Sequence, residues 1–207
     1  MLENKSLIID FDSTFIKVET IDELARIILK NDSEKDDKLK LIEDITNSAM
    51  NGDIDFPTAL QNRLKVLSFS KKDVQNITKD ISFLVSDSFQ RNIEIIKSIS
   101  EQIWIVSGGF KDVIVPIVAE FGIKAERVLA NEFIYEGDKV IGCNDNNPLF
   151  KDKGKILAIE NIIVDRNNFF KKEKNFHQTN LIYKLTKKKI NIRNPKTFLM
   201  SPKVNTL

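Results

Sequence analysis

Apolar residues recur at three- and four-residue intervals through four successive segments in the first half of the chain. This spacing lines apolar side chains along one face of a helix, so it predicts amphipathic helices. The fourth segment begins with Ser70 and Asp73 in the positions of a capping box, which marks a helix N-terminus. The four predicted helices span residues 21–30, 37–50, 56–67 and 70–81. No strand pattern interrupts them, so we expect an inserted helical cap.

Short apolar runs of a different kind lie on either side of this helical segment. Residues 5–11 and 102–106 have the pattern of short buried strands. A hairpin is predicted over residues 127–143, with its turn at Glu136-Gly137-Asp138. Further helices are predicted over 88–100, 110–123 and 153–163, and Pro116 is expected to kink or shorten the second of them. The alternation of strands and helices predicts an α/β fold, with a Rossmann-like, mostly parallel sheet flanked by helices.

These elements predict three parts of the chain. We expect an α/β core from residues 1–13 and 82–164, a helical cap over 14–81, and a tail over 165–207. A chain of 207 residues is long enough for one domain with an insertion. The predicted sheet also locates a site, because ligands of such sheets bind beyond the carboxyl ends of the strands.

The composition is that of an ordinary globular protein, with 42% hydrophobic and 30% charged residues. The single cysteine, Cys143, excludes an internal disulfide and agrees with a reducing compartment. No apolar run approaches the roughly 18 residues of a membrane span, and the N-terminal residues lack the apolar segment of a signal peptide. We therefore expect a cytoplasmic protein without a membrane partner.

The last 47 residues differ sharply in composition from the rest. From Asn161 onward, nine Lys and two Arg face only Asp165 and Glu173, a charge of 11 − 2 = +9, whereas the whole chain carries +2. No glycine follows Gly154, and no alanine follows Ala158. We interpret the tail as aberrant in composition, either disordered or the product of a frameshift, and translation of the other reading frames of the gene tests the second idea.

Two carboxylates follow the first predicted strand directly, in "LIIDFDSTFI". Residues i and i+2 of an extended chain face the same side, so Asp10 and Asp12 are expected to share one cleft. At ~5 Å they repel each other by roughly 3 kcal/mol in a medium of effective dielectric about 20. Either a cation offsets this repulsion or one carboxyl stays protonated. The alternative is a plain Asx-type turn that caps the next segment.

Ser107-Gly108-Gly109 follows the second predicted strand and precedes a helix. A hydroxyl and backbone N–H groups at a helix N-terminus suit a phosphate group, although a plain tight turn has the same residues. Lys153 lies beside Gly154 at the start of another predicted helix. Among 32 basic residues, this lysine alone carries little information.

Taken in order, these segments resemble the first three motifs of the haloacid-dehalogenase-like phosphohydrolases. The resemblance is closest to the phosphoserine phosphatase branch and covers about residues 5–163. It rests on "DFDSTFIKVETIDELA", "AMNGDIDFPTALQNRLKVL", "IVSGGF" and "VLANEF…KGKI". The resemblance implies hydrolysis of O-phosphoserine, the last step of L-serine biosynthesis, through an aspartyl-phosphate intermediate.

The resemblance also implies roles for individual residues. Asp10 would be the nucleophile, Asp12 the general acid and base, and Lys153 a source of positive charge near the phosphate. Mg²⁺ would be held by the Asp10 carboxylate and the Asp12 backbone carbonyl. The substrate-binding residues implied by the resemblance are Glu19, Met50, Gly52, Phe56, Arg63, Ser107, Gly108, Gly109 and Lys153. Met50, Gly52 and Phe56 would form an apolar lining that excludes water. Taken singly, Glu19 and Arg63 could equally be surface charges, and Met50 and Phe56 core residues.

The fourth motif of this family, a Gly-Asp-Gly-x-x-Asp segment about twenty residues after Lys153, is not found. The third metal carboxylate is therefore missing from the pattern, and so is the strand expected beside the one that precedes Asp10. "TNLIYKLT" (179–186) is the candidate replacement strand. The alternatives are a phosphatase of another small phosphomonoester, or a defective relative that binds phosphate or, through its basic tail, an acidic partner such as nucleic acid. Because the tail has no recognisable nucleic-acid module, the expected partner is a small-molecule substrate.

Overall fold

The structure, a computed structural model, describes residues 6–173 and 198–199. These residues contain eight α-helices and six strands. The helices are α1 Thr20–Ile28, α2 Lys35–Asn51, α3 Phe56–Val66, α4 Lys71–Ser82, α5 Asp87–Arg91, α6 Ile93–Ser98, α7 Lys111–Ala119 and α8 Gly154–Glu173. The strands are β1 Leu7–Ile9, β2 Ile103–Phe110, β3 Val128–Asn131, β4 Phe133–Glu136, β5 Lys139–Cys143 and β6 Phe198–Leu199.

The larger of the two sheets has the strand order β3-β2-β1-β6. Strand β2 pairs in parallel with both β1 and β3, and β6 pairs with β1 in the antiparallel direction. Leu7 and Ile9 lie opposite Ile103 and Ile105, so β1 and β2 run side by side toward the same edge. The predicted α/β class, a mostly parallel sheet flanked by helices, is confirmed.

Side chains alternate between the two faces of this sheet, and each face is covered. Ile103 and Ile105 belong to the main apolar core with Val113 and Ile117 of α7. Trp104 and Val106 lie on the other face, with Ala158 of α8. Burial on both faces explains why β1 and β2 read as continuous apolar runs rather than as an apolar–polar alternation.

The first four helices, α1–α4, together with Glu19 directly before α1 (residues 19–82), are called the helical block below. Several of their ends follow local chemistry. Ser70 and Asp73 form the predicted capping box at the start of α4, and Asp55 caps α3 by accepting a hydrogen bond from the Thr58 amide at 2.8 Å. Gly52 ends α2 with a φ of +83°, which a residue with a side chain rarely adopts.

The helical block packs onto the sheet rather than standing apart from it. Helix α4 lies against α7, and its buried Val74 and Ile77 belong to the same apolar core as Ile105 of β2. The proposed division into a core over 1–13 and 82–164 and a cap over 14–81 therefore separates two parts that share one core.

Several sequence predictions need correction. The predicted helix 88–100 is two short helices, α5 and α6, and α7 ends at Ala119, three residues after Pro116. The residues predicted as the first part of a hairpin arm form β3 of the main sheet, and only β4 and β5 make the hairpin. The strand described on the free side of β1 is Phe198–Leu199, whereas the candidate 179–186 lies outside the described residues.

Helix α8 extends ten residues beyond its predicted end and therefore crosses the predicted boundary between core and tail at residue 164. Among the described residues, no helix is long and apolar enough to cross a membrane.

Candidate active site

The carboxyl ends of β1 and β2 bring two of the predicted segments to one edge of the sheet. Asp10 follows the last residue of β1, and Ser107-Gly108-Gly109 follows Val106 in β2. Between Val106 and Phe110, β2 advances four residues while β3 advances only two, from Leu129 to Asn131. The ladder is therefore irregular, and the serine and glycines form a bulge within β2, whereas the sequence predicted that the strand ends at residue 106.

Residues 11–15 form a tight turn that contains Asp12 and directly follows Asp10. Phe11 and Phe15 are fully buried and stack on each other, which anchors both ends of the turn in the core. Between them Ser13 has a φ of +52°, so the chain reverses within a few residues. The Asp10 carboxylate accepts a hydrogen bond from the Phe11 amide at 2.9 Å. Anchored in this way, Asp10 is held at the end of its strand.

Asp12 is partly buried and makes its hydrogen bonds to the first residue of α1. Its Oδ1 atom accepts a hydrogen bond from the Thr20 amide at 3.0 Å and another from the Thr20 hydroxyl. Burial raises the pKa of Asp12 to about 6, against the opposing effect of the Thr20 hydrogen bonds, and the charges of Glu19 and Asp10 raise it further. Asp12 can therefore hold or release a proton near neutral pH.

The bulge is packed from both sides, which explains its two glycines. A Cβ on Gly109 would lie 3.0 Å from Asp12 Oδ2 and 3.2 Å from Ser107 Oγ, and a Cβ on Gly108 would lie 3.2 Å from the Phe56 ring. The fully buried Ser107 accepts a hydrogen bond from the Gly109 amide at 2.9 Å. Its own hydroxyl hydrogen has no acceptor among the described residues and can donate to a further group.

Asn131 supports the bulge from β3. It is fully buried, and its side-chain amide donates to the Gly108 carbonyl at 2.8 Å. Its Oδ1 atom has no hydrogen-bond partner in the described part of the chain.

The lysine that pairs with Asp10 is Lys155, not Lys153. Lys155 Nζ lies 2.7 Å from Asp10 Oδ2. Lys153 is exposed with a φ of +62°, and its side chain makes no hydrogen bond or ion pair with the described residues. A Cβ on Gly154 would lie only 2.0 Å from the Pro148 carbonyl oxygen, so the backbone approaches the preceding turn closely here and fixes the start of α8. This placement turns the second lysine of "KGK" toward Asp10.

The predicted substrate-binding residues of the helical block divide into two groups. Glu19 accepts a hydrogen bond from the Ser13 hydroxyl at 2.6 Å, and Phe56 covers Gly108. Arg63 forms no ion pair in the described structure, but Asp22, Glu19 and Asp12 all act on it electrostatically. Burial lowers the pKa of the Arg63 guanidinium, and these three acids oppose that effect.

Met50 and Gly52 form the second group, and they contradict the prediction of an apolar lining. Met50 is 80% exposed at the end of α2, and nothing lies within 4 Å of the position of a Cβ on Gly52. Gly52 is explained by its left-handed helix cap, and the exposed Met50 side chain is open to solvent.

Oxygen atoms at this edge are of the kind that Mg²⁺ accepts. Magnesium is commonly held by one or two carboxylates, with water and substrate phosphate oxygens completing the coordination. The Asp10 carboxylate and the Asp12 carbonyl fit that donor set, although Asp10 is also paired with Lys155. Among the described residues, no group of three or more His, Cys, Asp or Glu side chains could hold a metal ion.

The sequence predictions missed three contributors to the site, namely Thr20, Asn131 and Lys155. Each is adjacent to, or within, a segment that carried the resemblance: Thr20 follows Glu19, Asn131 lies in "VLANEF", and Lys155 ends "KGK". The motifs therefore locate the segments that form the site. Which residues of these segments contact Asp10, Asp12 and the bulge depends on packing.

Comparison with known proteins adds independent information. No protein-family model matches the chain. The phosphoserine phosphatase of Drosophila melanogaster is 30% identical over 154 residues, which cover 72% of this chain and 53% of the relative. That of Homo sapiens is 30% identical over 162 residues, which cover 72% of this chain and 64% of the relative. The chain thus spans between about half and two thirds of the length of these curated relatives.

A solved structure has the same fold. It is described as a phospho-aspartyl intermediate analogue of phosphoserine phosphatase, is 26% identical, and superposes with a TM-score of 0.61 over 79% of this chain and 74% of that chain. With its sequence relatives and its fold in agreement, the chain belongs to the phosphoserine phosphatase family of haloacid-dehalogenase-like hydrolases.

Proposed function

We propose that this chain hydrolyses O-phosphoserine to serine and phosphate through a phosphorylated Asp10. One observation carries the proposal: two carboxylates of different environment, an ammonium group and the Ser107–Gly109 bulge meet at the carboxyl ends of adjacent parallel strands. An anion bound there has a nucleophile, an acid and a cation within reach.

In the first step, a carboxylate oxygen of Asp10 attacks phosphorus and the bond from phosphorus to the seryl oxygen breaks. Asp12 protonates the departing seryl oxygen. In the second step, Asp12 takes a proton from water, the water oxygen attacks phosphorus, and the bond to Asp10 breaks, which releases phosphate and restores the Asp10 carboxylate and the protonated Asp12. The pKa of about 6 suits Asp12 to both steps.

Lys155 and Ser107 would stabilise the phosphoryl group during these steps. The Lys155 ammonium neutralises negative charge beside Asp10, and the Ser107 hydroxyl donates to a phosphoryl oxygen. Mg²⁺, held by the Asp10 carboxylate and the Asp12 carbonyl, would supply further neutralisation of the phosphate charge. We assign to Lys153 only a long-range electrostatic contribution to neutralising the phosphate charge.

Recognition of the amino acid is assigned to the helical block. Glu19 would pair with the substrate ammonium group and Arg63 with its carboxylate, and their electrostatic effects on or from Asp12 support this assignment. Phe56, over Gly108, would cover the phosphoryl group. Met50 and Gly52 are given no role in this proposal.

The test is release of inorganic phosphate by the purified 207-residue chain with O-phosphoserine and Mg²⁺. We expect turnover by the wild-type chain and none by Asp10→Asn, which keeps the shape of the side chain but not its nucleophilic carboxylate. A panel containing phosphothreonine, phosphoethanolamine and glycerol phosphate measures preference. Faster turnover of another phosphomonoester would replace the substrate, and tight phosphate binding without any turnover would favour the defective relative.

A further inference from the structure

Thr20 directs both of its hydrogen-bond donors to one atom. Its backbone amide lies 3.0 Å from Asp12 Oδ1, and its hydroxyl donates to the same oxygen. The residue is only 3% exposed, so water does not compete for these donors. Two donors on a single carboxylate oxygen restrict the rotation of the whole carboxyl group.

This use of a buried threonine differs from the usual one inside a helix. Thr78 donates its hydroxyl to the Val74 carbonyl four residues earlier in its own helix, at 2.7 Å, and Thr46 does the same with Ile42. Thr20 is the first residue of α1, so no helical carbonyl precedes it, and its amide is one of the unpaired donors of a helix N-terminus. Asp12 satisfies both groups from another segment of the chain.

The other oxygen of Asp12 faces the bulge. Asp12 Oδ2 lies 3.0 Å from the position that a Cβ on Gly109 would occupy, next to the Ser107 hydroxyl. The two oxygens of this carboxyl therefore have separate surroundings: Oδ1 faces the start of α1, and Oδ2 faces the proposed phosphate site. Without Thr20, the broad two-fold torsion of a carboxyl group would allow either oxygen in either place.

We propose that Thr20 is a positioning residue that fixes Asp12 so that Oδ2 gives and takes the catalytic proton. This inference rests on the proposed function. Because Oδ1 already accepts two hydrogen bonds, a proton on this carboxyl belongs on Oδ2, which faces the proposed phosphate site. Thr20 follows Glu19, so one dipeptide of the helical block both orients the acid and contributes to recognition of the amino acid.

The decisive comparison uses two substrates that differ in the leaving group. The seryl oxygen of O-phosphoserine must be protonated as it departs, whereas p-nitrophenolate leaves without a proton. Thr20→Val removes the hydroxyl and keeps the shape. We expect its kcat for O-phosphoserine to fall about 10- to 100-fold, within the range that general acid catalysis contributes. The KM should change less than about 3-fold, because no binding group is removed.

The burst of p-nitrophenolate release from p-nitrophenyl phosphate isolates the first step for the second substrate. Its rate in Thr20→Val should stay within about 3-fold of the wild-type value, because that step needs no acid. Thr20→Ser retains the hydroxyl and should restore turnover of O-phosphoserine. Thr78→Val is the matched control: it also removes the hydroxyl of a buried threonine, and it should change both substrates equally.

Two further measurements keep the inference open to refutation. If Thr20→Val does not fold, Thr20→Ala removes the same hydroxyl without branching at Cβ. A double-mutant cycle of Thr20→Val with Asp12→Ala, measured by urea unfolding, requires no turnover. We expect the two effects on the unfolding equilibrium constant to be non-additive by at least about 3-fold, because hydrogen bonds to charged groups are strong.

The possible failures are distinguishable. A wild-type chain that hydrolyses no substrate overturns the proposed function and this role with it. An active wild-type chain with unchanged kcat in Thr20→Val, equal losses on both substrates, or additive effects in the cycle overturns the role of Thr20 alone. Selective loss on O-phosphoserine with rescue by Thr20→Ser supports it.

Discussion

The sheet edge and the helical block are both predicted to contribute site residues, but the two regions differ in how many of those residues lie at the site. At the sheet edge Asp10, Asp12 and the Ser107–Gly109 bulge come together as expected. In the helical block, Phe56 reaches the bulge, but Met50 is 80% exposed and Gly52 only ends a helix. Parallel strands bring their ends to one edge whatever the sequence separation, whereas a residue on a helix reaches a site only if that helix packs in one particular way.

The largest difference between the two regions is expected at their glycines. In Gly109→Ala the new Cβ would crowd Asp12 Oδ2 and Ser107 Oγ, so we expect kcat to fall about 100-fold or more, as for misplaced catalytic groups. Gly52→Ala puts a side chain at a left-handed position in open space and should cost about 1 kcal/mol of stability. Its turnover should stay near the wild-type value.

Phosphate-release assays measure kcat of the two glycine variants, and urea unfolding measures their stability. If Gly52→Ala lost turnover while remaining folded, the helical block would lie closer to the chemistry than the structure places it.

The two lysines of "KGK" provide the next largest effect. Lys155→Ala removes the ammonium at 2.7 Å from Asp10, and we expect kcat to fall about 10- to 100-fold, in the range for the loss of one group that stabilises the transition state. Lys153→Ala removes an exposed charge that water and salt screen, so a change below about 3-fold is expected. Steady-state kinetics of both variants at equal ionic strength tests this assignment. A larger loss of kcat in Lys153→Ala than in Lys155→Ala would contradict it, and would favour Lys153 as the lysine near the phosphate, as the family resemblance implies.

A smaller effect is expected from the apolar residues of the helical block. Phe56→Ala uncovers Gly108 and removes a side chain packed against the main core, so we expect a KM raised about 3- to 10-fold and a loss of about 1–3 kcal/mol of stability. Met50→Ala should alter neither quantity measurably, because a side chain that is 80% exposed loses little by truncation. Kinetics and thermal unfolding of the pair test this, and equal effects would contradict the contrast.

Local sequence signals predicted much of the fold. The capping box of Ser70 and Asp73, the hairpin turn at Gly137 and the strand before Asp10 depend on neighbouring residues, and all three are present. Strand β3 was assigned to the hairpin instead, because a short apolar run directly before β4 has the same local pattern whether it pairs with the hairpin or with β2.

The contacts of the site could be predicted only in part. Two carboxylates after a strand locate a site, but the pairing of Asp12 with Thr20 depends on how α1 packs. Lys155 rather than Lys153 pairs with Asp10 because Gly154 approaches the Pro148 carbonyl closely at the start of α8. The sequence spacing does not encode this approach. The bulge at Ser107 likewise depends on the pairing of β2 with β3.

The central claim is that Asp10 is the residue that carries the phosphoryl group. Borohydride reduces an acyl phosphate to an alcohol. If the protein is quenched during turnover of O-phosphoserine and then reduced with borohydride, residue 10 should be converted to homoserine. Residues 6–17 form a single tryptic peptide between Lys5 and Lys17, so mass spectrometry can assign the change to Asp10 or Asp12. The account predicts that Asp10 is converted to homoserine in the sample with substrate, and that no conversion occurs in the sample without substrate. Conversion at Asp12, or turnover that leaves both aspartates unmodified, would contradict it.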